Sequence, residues 1–114
     1  MPASTDTLYL CWTTTETEAE AHSLAQLSID QQLAACAQVD GPILSFYQWQ
    51  GKAEKTTEHR IVFKVLEANL DPLERAVKKA HPYDTPQWIA VKAEKVAEKY
   101  LKWAKEASNF SAFL

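Results

Sequence analysis

The stretch Ala80-His81-Pro82-Tyr83-Asp84-Thr85-Pro86-Gln87 marks a change of period in the chain. Upstream, Leu73, Ala76, Val77 and Ala80 recur at helical spacing; downstream, Trp88-Ile89-Ala90-Val91 is a continuous apolar run that reads as a buried strand. Pro82 biases His81 away from helical angles and lacks an amide hydrogen, so the helix is expected to end here. Pro86 fixes a second φ angle four residues later, which leaves a short, stiff connection carrying an imidazole, a phenol and a carboxylate. Such a loop can position a binding site. It can equally be a structural turn, and the stretch alone leaves both readings open.

The segments on either side fix the order of elements. Thr7 to Trp12 is uncharged and suits a first, central strand. Thr15-Glu16-Thr17-Glu18 has the form of a capping box, with Thr15 as cap and Glu18 reaching back. The helix it opens is expected to bury Ala21, Leu24, Ala25 and Ser28 and to end near Gln31 or Gln32. Leu33 to Trp49 reads as one long strand bent or bulged at Gly41-Pro42. Gln50-Gly51 supplies a hairpin turn, and the return strand covers Lys52 to Leu66. Its first half is polar and its second apolar, as expected of a hairpin with one end in the core and the other reaching outward. Asp71-Pro72-Leu73-Glu74 reads as a helix start with Asp71 as cap. The last strand is expected over Gln87 to Lys92. A final helix is expected from Glu94, burying Val96, Ala97, Tyr100, Leu101 and Ala104. The tail beyond Ser108 carries Phe110, Phe113 and Leu114, oddly apolar for an end.

That order, β-α-β-β-α-β and then a helix, predicts an α+β fold. It is the ferredoxin-like sandwich with an extended hairpin between the second and third strands and a C-terminal helix. A single domain over residues 1–114 is expected. The net charge of −3 and the alternation of lysines with acidic residues argue against nucleic acid as a partner. No apolar run approaches membrane-spanning length, so no membrane insertion is expected. Met1 to Asp6 is short and polar, and a cytoplasmic protein is the expectation. The chain has two glycines, which excludes a glycine-rich phosphate loop of the P-loop or dinucleotide type. Its two cysteines, Cys11 and Cys36, are expected as free thiols.

Four motifs in order resemble one family. They are Leu33-Ala34-Ala35-Cys36, then Ser45 to Lys52 (Ser-Phe-Tyr-Gln-Trp-Gln-Gly-Lys), then His81-Pro82-Tyr83 with Thr85-Pro86, then Tyr100-Leu101-Lys102-Trp103. Together they resemble the CutA divalent-cation tolerance family from about Leu8 to Trp103. The resemblance implies a ferredoxin-like subunit in a homotrimer similar in plan to PII signalling proteins, a link to tolerance of copper and other divalent cations, and copper binding in some members. It places Lys52 and Glu58 near a neighbouring subunit's cleft. Three departures bear on the presumed site. Gln87 stands where the family usually has Glu, and Ala80 where some members have a second histidine. Ala93-Glu94-Lys95-Val96 lacks the glycine common in that segment.

Candidate chemistry follows from residue type. Cys11 is expected near the end of the first strand, before a helix N-terminus that favours thiolates, and so competes as metal ligand with its role as core packing. His81 is a candidate ligand or base, or a cap for the helix it ends. These two form the expected metal pair; no cofactor is certain, and copper or another divalent cation is the candidate. Cys36 reads most simply as a small core residue. With Trp49, Lys52, Glu58 and Tyr83 it makes up the expected ligand cleft. Phe46, Tyr47, Trp49 and Trp88 are the expected interface. His22 and His59 fall on exposed-looking positions without metal spacing. No nucleophile elbow, Cys–His setting or paired-carboxylate motif is present, and a non-enzyme is expected. Three functions compete: a trimeric protein of divalent-metal tolerance, a PII-like sensor binding a small anion in intersubunit clefts, and a scaffold that contributes through its stability and interactions.

Overall fold

The structure, a computed structural model, describes residues 7–108; the apolar tail with Phe110, Phe113 and Leu114 lies outside them. Its elements are β1 (Leu8–Thr15), α1 (Glu18–Asp30), β2 (Cys36–Trp49), β3 (Lys52–Leu66), α2 (Leu70–Ala80), β4 (Ile89–Lys92) and α3 (Glu98–Ala107), with a 3₁₀ turn over Glu67–Asn69. The strands form one antiparallel sheet in the order β2-β3-β1-β4. This is the ferredoxin-like α+β arrangement, PII-like in plan.

Alternation along β1 explains the layers. Cys11, Thr13 and Thr15 point to one face and are fully buried there with Ile61, Phe63 and Val65 of β3. Ala21 and Leu24 of α1 and Leu73 and Val77 of α2 close over that face. Leu8 and Leu66 point to the other face, where Ala104 of α3 packs against them. The sheet is thus covered on one side by α1 and α2 and, at one end of its other side, by α3. Beyond α3 none of the described residues covers that second face. Trp12 there is only partly buried, and Ile89 and Val91, opposite Trp12 and Leu10, are 53% and 49% exposed.

Several boundaries depart from the sequence reading, each for a local reason. The capping box forms two residues later than expected: the Thr17 hydroxyl accepts from the Glu20 amide and Glu20 accepts from the Thr17 amide, both at 3.1 Å. Thr15 cannot start the helix because it is still paired with His59 in the β1–β3 ladder. Helix α2 begins at Leu70, not after Asp71, and Pro72 occupies its third position, where an amide would have no helical partner anyway. Asn69 precedes it without a capping bond and donates its side-chain amide to the Ser108 carbonyl at 3.4 Å. Strand β4 is shorter than expected and exposed throughout, because it is an edge strand bonded only to β1. The Ala93 amide still donates to the Leu8 carbonyl at 2.9 Å, so the chain leaves the sheet late and α3 starts at Glu98 instead of Glu94.

The hairpin follows its sequence closely. Gln50 and Gly51 both take positive φ (51° and 79°), the twist that a two-residue turn between right-handed strands requires. The bulge falls between Asp40 and Ile43, at a cis Gly41-Pro42 bond where Gly41 has φ of 147°. A Cβ on Gly41 would lie 2.8 Å from the His59 ring, so only glycine fits without displacement. Beside the bulge, Arg60 grips Asp40 with two bonds of 3.2 and 2.7 Å, and that guanidinium holds the Asp40 carboxyl below its ordinary range. Past Thr15 no third strand among the described residues accompanies β2 and β3. Their outer halves, Ile43 to Trp49 and Lys52 to Glu58, form a two-stranded arm that stretches the subunit to 44 Å along its long axis.

Candidate functional site at the root of the arm

The connection from α2 to β4 is anchored by His81, which is 8% exposed. Its Nδ1 accepts the Tyr83 amide at 3.1 Å, so the proton sits on Nε2. Nε2–H then donates to the Thr14 carbonyl at 2.9 Å and lies 3.1 Å from the Thr13 hydroxyl. Burial pushes the imidazole below its ordinary value, outweighing the Thr14 carbonyl, which pulls upward. Both nitrogens are committed. His81 is a neutral clamp that pins the start of the loop to β1, and neither lone pair nor proton is offered to a ligand.

This clamp gives a pH dependence. Below its ordinary value of 6.5 the unfolded imidazole takes up a proton that the folded one resists, so folding stability falls as pH drops through and below that value. Urea midpoints at about pH 7.5 and about pH 5.5 are expected to show a decline in the native chain that His81→Gln flattens. An identical decline in both proteins would assign it to other groups.

Beyond the clamp, Tyr83 turns back to the arm. Its ring packs against the His81 ring, centroids 4.9 Å apart and planes tilted by 54°, and its hydroxyl donates to Glu58 Oε2 at 2.8 Å. Burial, and then the Glu58 carboxylate itself, hold the phenol well above its ordinary range, so it remains a donor. Glu58 is 9% exposed and stands where the arm leaves the sheet. Around this pair opens a cleft of about 600 Å³, lined by Phe46, Tyr47 and Trp49 on one side and by Tyr83, Asp84 and Gln87 on the other. Thr14, Ser45, Thr85 and Glu58 complete it. Trp88 fixes the far end of the loop by packing on Phe63, ring centroids 5.9 Å apart.

The structure divides the expected site residues. Trp49, Glu58 and Tyr83 come together in the cleft, whereas Cys36 and Lys52 do not line it. Cys36 lies opposite Lys64 in the sheet proper, and Lys52 sits across from Trp49 at the arm's tip. Cys11 is four residues short of the end of β1 and completely buried among core side chains. Burial, helped by the charge of Glu74, pushes its thiol up to about 12, so it stays protonated and apolar in role. The expected metal pair is therefore not a pair of open ligands, since Cys11 belongs to the core and His81 to the clamp. With Gln87 neutral, these residues do not fit a resident metal ion. Among the described residues no group of three His, Cys, Asp or Glu side chains is arranged to hold one. His59, expected at the surface, is largely covered beneath Gly41, with Nε2 4.0 Å from Glu18. Of the interface residues, Phe46, Tyr47 and Trp49 stand exposed on the arm, while Trp88 packs into the subunit's own core cluster.

Asp84 is the carboxylate of the stiff loop, and Ser45 and Thr85 stand within the motifs, but none of them, nor Thr14, is singled out by the sequence as a cleft residue. They are ordinary polar side chains that only the fold brings to one place.

Comparison with known proteins agrees with this fold and motif order. The divalent-cation tolerance protein CutA of Pyrococcus horikoshii is 31% identical over 102 residues, which is 90% of this chain and 99% of that protein. The chloroplastic CutA protein of Arabidopsis thaliana is 34% identical over 86 residues, 75% of this chain and 47% of that protein; the chain thus spans about half the length of such plant relatives. The crystal structure of CutA1 from Oryza sativa superposes with a TM-score of 0.87 at 33% identity, covering 92% of this chain and 97% of that one. Residues 9–107 match the family described as CutA1 divalent ion tolerance protein, nearly the whole length from β1 through α3, and the chain belongs to that family.

Proposed function

We propose that the chain acts in tolerance of divalent cations as a non-enzymatic, cytoplasmic homotrimer, with the cleft at the root of the arm lying where subunits meet. The observation that carries the assembly is the arm. Leu44, Phe46, Tyr47 and Trp49 are 58%, 70%, 43% and 47% exposed on a ribbon that has no third strand beside it among the described residues. A two-stranded ribbon is marginal in water on its own, and an apolar one invites a partner. The exposed edge strand β4, with Ile89 and Val91, offers the complementary row of backbone donors and acceptors.

The role in metal tolerance rests on family membership, and the residues in hand qualify it. A buried protonated thiol, a doubly bonded imidazole and a neutral amide favour weak binding of copper and other divalent ions over a tight resident site. A chelator-competition titration of the assembled protein is expected to give divalent binding no tighter than roughly micromolar. Restoring the carboxylate in Gln87→Glu is expected to tighten it by about tenfold, equivalent to about 1.4 kcal/mol. Tight, one-per-chain binding that survives Cys11→Ser would overturn this reading. The competing reading, a PII-like sensor of a small anion, finds no Lys, Arg or His among the residues lining the cleft.

A further inference from the structure

We propose that the cleft binds a small organic amine in its protonated form, the ammonium on Glu58 and the carbon body against Tyr47 and Trp49. The proposal takes the cleft of the previous subsection as the site and gives it a ligand class. Its volume of about 600 Å³ suits a small organic molecule.

Charge selects the class. Two carboxylates, Glu58 and Asp84, line the cleft and no cationic side chain does. Of the cations on the arm, Arg60 is paired with Asp40, and the Lys55 ammonium lies over the ring of Phe46, 5.8 Å from its centroid, without itself lining the cleft. Glu58 is the focus. It is nine-tenths buried, and among the described residues the side-chain donor to its carboxylate is the Tyr83 hydroxyl, at Oε2. A carboxylate offers about four lone-pair positions, so most of its accepting capacity is unused. A neutral phenol supplies a hydrogen bond and no compensating charge. Removing a carboxylate from water in this state is costly, and a cation delivered to Oε1 offsets that cost.

The walls select further. Phe46, Tyr47 and Trp49 present aromatic faces, which attract ammonium groups and cover alkyl chains equally well. The Lys55 ammonium over Phe46 is an instance of the first attraction within the chain itself. A divalent metal ion would find two carboxylates, an amide and hydroxyls amid aromatic rings, a set that leaves it largely hydrated and weakly held. An anion would meet like charge with no cationic side chain to hold it. An alkylammonium satisfies both the acidic floor and the aromatic wall.

Three ligands with one body and three charges test this: hexylammonium, 1-hexanol and hexanoate. Each is titrated into the full-length assembled protein at neutral pH with EDTA present, following the indole and amide NMR signals of Trp49, Tyr47 and Thr14. Hexylammonium is expected to bind at least about tenfold more tightly than hexanol, with hexanoate weakest. In Glu58→Gln, whose amide oxygen can still accept from Tyr83, the ammonium's advantage is expected to vanish while hexanol binding is unchanged. Equal or tighter binding of hexanoate or hexanol, shifts confined to other regions, or no response to hexylammonium up to ~10 mM would each overturn the proposal. Should Glu58→Gln not fold, the charge series on the unaltered chain decides alone. Because EDTA removes metal, failure here leaves the divalent-cation reading standing, and failure of the metal titration leaves this one standing.

Discussion

Phe63→Ala is expected to destabilise the subunit by about 3–5 kcal/mol, the cost of deleting a fully buried aromatic ring and leaving a cavity. Phe63 is 0% exposed at the centre of the cluster in which α1, α2 and the sheet meet. The loss extends to the site, because the Phe63 ring is what Trp88 packs on, and Trp88 ends the loop that His81 begins. The variant is therefore expected to loosen the cleft as well as the core. Urea unfolding at fixed protein concentration measures the first effect and hydrogen exchange at residues 83–88 the second. A loss below about 1 kcal/mol would mean that neighbouring side chains close the cavity.

Phe46→Asp is expected to dissociate the assembly while leaving the subunit folded. Phe46 stands on the arm, 70% exposed, and contributes nothing to the clusters that hold the sheet to its helices. A charge placed in a buried aromatic contact between subunits is expected to raise the dissociation constant by about 100-fold or more, near 2.7 kcal/mol. Trp49→Ala, a truncation without added charge, is expected to act in the same direction by about tenfold. Light scattering over a dilution series reads both. A native chain that is a stable monomer at micromolar concentration would end the assembly reading. A Phe46→Asp protein that stays assembled but melts lower would make that side chain part of the subunit's own packing.

Much of the fold is legible in the sequence because its periods are clean. The bounds of β3, the hairpin turn at Gln50-Gly51, the bulge at Gly41-Pro42 and the end of α2 at Ala80 are all fixed by local chemistry: a positive φ, a missing amide hydrogen, a change from polar to apolar alternation. Where local signals compete with long-range pairing, the pairing wins. Thr15 has the sequence of a cap but the partner of a strand residue. Trp88-Ile89-Ala90-Val91 has the composition of a central strand, yet its place at the sheet's edge leaves Ile89 and Val91 uncovered in the subunit. The same run of residues is consistent with burial between copies, which no period within one chain can express.

The site is legible only in part. Glu58, Trp49 and Tyr83 are named by the motifs, and the fold brings them together across 25 residues of sequence between Glu58 and Tyr83. What the motifs do not convey is depth. Cys11 and His81 look alike as potential ligands in a string of letters. They differ from an open site because one is sealed among Phe63 and its neighbours and the other has both ring nitrogens bonded. Burial and hydrogen-bond saturation depend on residues far away in the chain, and these decide chemistry more firmly than residue type does.

The bond from Tyr83 to Glu58 has a mechanical meaning as well. It ties a loop braced against the sheet to the base of a cantilever. From Glu58 to Lys52 the arm projects six residues, about 20 Å at the usual rise of a strand. A tilt of about 5° at that fulcrum sweeps the tip, where Trp49 sits, through nearly 2 Å. That displacement is enough to break van der Waals contact with whatever the tip rests on. Whatever occupies Glu58 thus holds leverage over the contacts that the far end of the arm makes.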